Sequence, residues 1–429
     1  MLLSLLSGSA SAQTVFTTPD VSNIEQARVE RIISTLADDD MRGRGAFTDD
    51  ALRAADYLAS EFAAAGLKSP EGSDGYLQRF SVRTLMPGPA SVVVDGEELP
   101  PDRFAVRLET PSLAWSTGDV EVLVVGPADD AQQIFRRVSN GDSDALVLFH
   151  PAHAQIFRSL RGVFGRPVRT IGSQSGPNIV IALVNALPEA TYRITASATV
   201  TEQPLVNVVG TIRGRRSDEY VLFSAHYDHI GIREAVAGDS IANGANDDAS
   251  GTTAVVMLGR YFAERGTPER TLLFAAFTAE ESGGYGSRYY STQLDPDQIV
   301  AMFNIEMIGK PAVEGPNTAW ITGFERSSFG MLLQEAVLGT EYEFYPDPYP
   351  DQGLFYRSDN ATLARLGVPA HSISTTPIDV DQDYHQVTDH VETLDLEHLT
   401  NTIRAIAIGA ETIVSGAATP TRVDLPRGN

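Results

Sequence analysis

The stretch VLFSAHYDH, residues 221–229, decides how the chain is read. Five apolar or small residues lead into His226, followed by Tyr227, Asp228 and His229. A short apolar run of this kind reads as a buried strand. Open α/β sheets bind ligands at the carboxyl ends of their strands, so His226 is expected at such an end. On an extended chain His226 and Asp228 point the same way, and the Asp228 carboxylate is expected to hydrogen-bond the imidazole. His229 has the weaker claim and reads as structural.

Working outward, four later stretches supply matching groups. They are NDDASG (246–251), FTAEESGG (277–284), FNIEMIG (303–309) and DYHQVTD (383–389). A hydrolytic two-metal site needs one carboxylate shared by both metals, further N or O ligands for each, and a free base for the water. Asp247 is the expected shared carboxylate. Asp248 and Ser250 beside it also suit a helix N-terminus. Glu280 and Glu281 follow the apolar strand TLLFAAF and would repel each other unless a cation or proton lies between them. One can bind metal while the other takes the proton. Glu306 interrupts an apolar run, where an unpaired acid is costly. His385 offers a second imidazole, with Asp383, Asp389 and His390 crowding it as candidates to orient it.

Composition narrows the chemistry. The chain has 429 residues, a net charge of −24 and no cysteine. Disulfides, thiolate ligands and a cysteine nucleophile are therefore excluded, leaving His, Asp and Glu, a set that suits zinc. The negative charge argues against nucleic acid and anionic membranes as partners and favours a cationic group such as a peptide amino terminus. No segment is long and apolar enough to span a membrane. Residues 1–12 combine an apolar stretch with an A-x-A pattern ending at Ala12, as a signal peptide does. Export to the periplasm or medium is the expectation.

The pattern along the chain predicts the architecture. Two amphipathic helices are expected over 22–66, joined by the Gly/Arg loop MRGRGAF (41–47). Residues 83–203 are expected to form a β-rich insertion, with strands at 91–94, 120–125, 145–149 and 178–184 and one helix at 130–138. From 204 to 416 strands and helices alternate, which implies an α/β domain with a largely parallel or mixed sheet flanked by helices. Residues 417–429 read as a loose polar tail.

These motifs, in this order, resemble the di-zinc aminopeptidase family that includes glutamate carboxypeptidase II and the glutaminyl cyclases. The likeness covers about 204–414. It includes PLVNVVGTIRG (204–214) leading into YVLFSAHYDH (220–229), and SDNATLARLGVPA (358–370), although Asn360 stands where a histidine is common. AADYLASEF and GYLQRFSV resemble the lead-in of secreted members, and the insertion weakly resembles a protease-associated domain. The resemblance implies two zinc ions and a peptide substrate. It implies that Asp247 bridges, that His226 and Glu306 complete one site and Glu281 and His385 the other, that Glu280 is general base and acid, and that Asp228 orients His226. The position of Glu306 is usually Asp. An aminopeptidase is the expected activity; a carboxypeptidase, a one-zinc glutaminyl cyclase and a metal-free binding module are the rivals.

Overall fold

The computed structural model describes residues 18–73, 75–172, 176–185 and 189–425. The signal-peptide reading of 1–12 lies outside them. The chain divides into two units, one made of 1–78 with 206–429 and the other of 79–205.

The first unit begins with helices α1 (Gln26–Leu36) and α2 (Asp49–Ala64). In α1 the buried residues Val29, Ile32, Ile33 and Leu36 recur at helical spacing, a stripe that faces a core. Thr48 caps α2 by accepting from Asp50 N–H. The sheet strands are β1 (Tyr192–Ile212, of which 206–212 lies in this unit), β2 (Arg216–His226), β3 (Arg270–Phe277), β4 (Ile299–Ile305), β5 (Thr318–Ile321), β6 (Glu343–Pro346) and β7 (Ala370–Ser374). Their spatial order is β6-β5-β7-β4-β2-β3-β1. β3, β2, β4 and β7 run parallel, while β1 runs antiparallel to β3 and β5 antiparallel to β7. The sheet is mixed with a parallel centre, as the alternation of elements predicts.

Side-chain alternation explains why both faces are covered. Val221, Phe223 and Ala225 of β2 enter one core with α1, α2, α3 (Gly251–Glu264) and α4 (Leu396–Val414), while Leu222 enters the core on the opposite face. Phe223 lies between Phe274 and Phe303, with ring centroids 5.3 and 4.8 Å apart. Each fully buried Phe or Leu contributes roughly 1.5–3 kcal/mol, so this central layer is a rigid base for whatever its strand ends carry.

The polar tail is held in place over its described part. Arg270, almost fully buried, donates to the carbonyls of Ile413 and Ala418 at 2.6 Å and to Thr419 Oγ1 at 2.6 Å. Val423 is buried. A loose tail was the wrong expectation through residue 425, because a buried guanidinium needs these acceptors. The chain leaves this unit and returns to it at adjacent points: Asn207 donates to Gln78 Oε1 at 3.0 Å, and Val209 N–H to the Tyr76 carbonyl at 2.8 Å.

The second unit carries a four-stranded sheet in the order Phe104–Arg107, Ile179–Leu183, Ala145–Phe149, Glu121–Val125, the last three parallel. Helices Ala131–Ser139 and Ala154–Phe164 accompany it. The second helix was not expected. Only Phe157 and Phe164 of it are fully buried, too thin a stripe to stand out among its arginines. The unit is α/β rather than simply β-rich. Among the described residues no helix is long and apolar enough to cross a membrane.

Candidate metal centre

Register brings the predicted residues together. His226 of β2 lies opposite Phe277 of β3, and Ser224 opposite Asn304 of β4. The parallel strands therefore end side by side. His226–His229 leave β2, Glu280 and Glu281 follow β3, and Glu306 follows β4.

Arg44, from the MRGRGAF loop, is fully buried beneath this edge. It donates to the carbonyls of Tyr227, Leu36 and Asn243 at 2.6 Å and of Gly244 at 2.8 Å. It thus fastens the loop after β2 to the loop before α3. Burial pushes its pKa down to about 10 against the pull of Asp389, Asp228, Asp247 and Asp248. In the sequence Arg44 stands out only as part of a Gly/Arg loop. The signal it offered was an arginine between two glycines, where a bare backbone can approach. Gly244 (φ +59°) is required for a similar reason, since a Cβ there would lie 2.4 Å from the His229 ring.

Two clusters share Asp247. In one, His226 Nε2 lies 3.2 Å from Asp247 Oδ1 and 3.2 Å from Glu306 Oε1. In the other, His385 Nε2 lies 3.2 Å from Asp247 Oδ2 and 3.2 Å from Glu281 Oε2. His229 Nδ1 joins the second cluster, 3.0 Å from Glu281 Oε1 and 3.9 Å from Asp247 Oδ2. Asp247 is held from behind, because Asp389 accepts from the backbone N–H of Asn246 and Asp247 at 2.9 and 3.1 Å. Ser358 donates to Glu306 Oε2 at 2.6 Å.

Two expectations about orientation fail. The Asp228 carboxylate does not hydrogen-bond His226. Its Oδ1 is 3.8 Å from Nδ1 and accepts instead from Glu280 N–H at 3.0 Å, while the Asp228 carbonyl meets Nδ1 at 3.0 Å. The strand ends at His226, so the two-residue alternation assumed for His226 and Asp228 no longer applies. None of the neighbours crowding His385 orients it. Asp383 pairs with Lys310 at 2.8 Å, His390 stands 3.4 Å from Asp239, and Asp389 serves Asp247. His385 is placed by stacking on Tyr384, centroids 3.9 Å apart, and by Arg233 donating to its carbonyl at 2.5 Å.

The electrostatics are those of a cation site. Burial works against the charged form of His226, yet Glu306 and Asp247 outweigh it and raise its pKa well above the usual range. Hydrogen bonds to Asp247 and Glu281 raise His385 to about 10. Burial would raise Asp247, but hydrogen bonds from His226 and His385 hold it far below the usual carboxylate range. Burial pushes Asp228 up to about 7 and Glu280 well above its ordinary value. The donors are imidazole and carboxylate only, and Glu281 Oε1 and both His229 nitrogens are buried without a hydrogen-bond partner. This set fits zinc. A cavity of about 80 Å³ opens onto it, lined by Asp247, Glu280, Glu281 and Glu306 and walled by Trp320, Leu354 and Ile378, with Arg357 beside them.

A model of peptidase family M28 matches residues 207–408, a little under half of the chain. Among similar proteins, a probable zinc metalloprotease of Leptosphaeria maculans is 38% identical over 106 residues, 24% of each chain. Leucine aminopeptidase 2 of Trichophyton equinum is 26% identical over 314 residues, 66% of this chain and 60% of that one. The chain thus spans between about a quarter and three fifths of the length of these relatives. An aminopeptidase from Aneurinibacillus sp. strain AM-1 shares the fold, with a TM-score of 0.54 at 18% identity, covering 95% of this chain and 98% of that one.

Proposed function

We propose that the protein is a zinc-dependent aminopeptidase that binds two metal ions. One observation carries the reading: the two oxygens of Asp247 each face a different imidazole, His226 and His385, at 3.2 Å. In this reading Asp247 bridges, His226 and Glu306 complete one site, and Glu281 and His385 complete the other. Zinc, when bound, supplies an acidified water nucleophile and a Lewis acid for the scissile carbonyl. Glu280 lines the same cavity. Its raised pKa suits a group that takes the proton of the water and returns it to the leaving amine. The carboxylates around the cavity attract a free amino terminus, and Trp320, Leu354 and Ile378 fit an apolar first side chain. The leucine aminopeptidase relative supports the same direction.

Metal content and hydrolysis of free and N-blocked leucyl substrates test this. The expected result is two zincs per chain, chelator-sensitive cleavage and loss of activity on N-blocking. Cleavage only of N-blocked substrates points to a carboxypeptidase, and metal-free, inert protein refutes the enzyme. Glu280→Gln should keep its metal and lose roughly 10²–10⁴-fold in kcat; near-normal turnover refutes its role. Export with cleavage after Ala12 follows from the reading of residues 1–12, and a mature chain that keeps Met1 refutes it.

A further inference from the structure

The second cluster contains one imidazole more than the proposed ligand set uses. We infer that His229 is a metal ligand, binding through Nδ1 the ion held by Asp247, Glu281 and His385. The inference rests on the reading of those three as a metal site.

Geometry is the first argument. Ligand atoms around a tetrahedral zinc with bonds near 2.0–2.1 Å lie about 3.3–3.4 Å apart. His385 Nε2 stands 3.2 Å from both Asp247 Oδ2 and Glu281 Oε2, and His229 Nδ1 stands 3.0 Å from Glu281 Oε1 and 3.9 Å from Asp247 Oδ2. The ligand atoms of His229, Asp247 and Glu281 form one compact group. The His229 and His385 rings meet edge to face with centroids 6.0 Å apart.

The second argument is satisfaction. His229 is 1% exposed, and neither of its ring nitrogens makes a hydrogen bond. Glu281 Oε1 is likewise without a partner, although Nδ1 is 3.0 Å away. The two atoms are near each other but not aligned as donor and acceptor. Buried polar groups left in this way are costly, and a cation between them removes the cost.

The third argument is that the ring cannot turn away. It packs on Gly244 so closely that a Cβ would meet Cγ at 2.4 Å, and Gly244 and the His229 backbone are both tied to Arg44. A histidine ordinarily at rest in a core would donate or accept one hydrogen bond. This one is fixed at the wall of the site with its donors unspent. With His229 added, this metal has four protein ligands and the His226 side has three. The ion on the His229 side is then the more tightly held, and the substrate meets the opener one.

The test uses the full chain loaded with cadmium-113 and carrying nitrogen-15 histidine. Coupling of three of the eight histidines to metal is expected, one of them through Nδ1. Two coupled histidines, both through Nε2, overturn the inference while leaving the two-metal reading intact. No coupling at all overturns both. In parallel, His229→Ala should retain the native circular dichroism and bind its tighter zinc roughly tenfold or more weakly in chelator competition. Native-like affinity overturns the inference. If the variant does not fold, the coupling count on the native chain still decides.

Discussion

Replacing Arg44 with methionine keeps most of the side-chain volume and removes all four of its hydrogen bonds. The carbonyls of Tyr227, Leu36, Asn243 and Gly244 would be left buried with only their remaining partners. Hydrogen bonds from a charged group are worth about 1.5–3 kcal/mol each, but four on one side chain do not add. Loss of one member of a buried charged network typically costs about 3–5 kcal/mol. For a unit of roughly 300 residues, unfolding entropy near 0.6 kcal/mol/K converts about 4 kcal/mol into a fall of about 6–7 °C. Calorimetry of the full chain reads this directly. Metal content should fall with it, because Arg44 fixes both the loop that carries His226–His229 and the loop that carries Asp247. Lysine at 44 keeps the charge without the planar fork and should recover only part of either loss. A methionine variant that melts within about 1 °C of the native chain with full metal content would refute the reasoning.

Glu306→Ala should bind one metal fewer, since Glu306 Oε1 and Asp247 Oδ1 each lie 3.2 Å from His226 Nε2; unchanged stoichiometry in elemental analysis counts against its role. His371 is buried and lowered to about 4 by burial, with Thr322 accepting from one ring nitrogen and Ser327 donating to the other. Its folded pKa lies below the unfolded value near 6.5, so its contribution is full above pH 6.5 and is lost as pH falls toward 4. At about 1.4 kcal/mol per unit this is about 3 kcal/mol. The stability advantage of the native chain over His371→Gln should therefore shrink by about that much between pH 7 and 4 in denaturant titrations; a constant difference refutes it.

The candidate centre was largely legible because strand ends concentrate function. Each of His226, Glu280, Glu281 and Glu306 follows or interrupts an apolar run, and that contrast is visible in the sequence. Asp247 was legible from its loop composition. The orienting groups were not. Asp228 was assigned by extending the strand period two residues past its end at His226. Asp389 was one of three candidates to orient His385 through sequence proximity, whereas its partners are the backbone amides of Asn246 and Asp247, well over a hundred residues away. Arg44 and Arg270 exert their effect on carbonyl oxygens, which no sequence pattern displays. His229 reads as structural because a lone histidine usually is; only its two unpaired ring nitrogens beside Glu281 distinguish it. The second helix of the inserted unit was missed because its buried stripe is two residues wide.

The insertion leaves the first unit after Gln78 and returns before Val206, at points joined by the Gln78–Asn207 and Tyr76–Val209 hydrogen bonds. Such a junction behaves as a splice site. Closing it with a short turn would cost less chain entropy than spanning it with a long flexible loop, so the metal-bearing unit need not depend on its guest. Domains of different size and purpose could be exchanged at this seam while the strand ends kept their register.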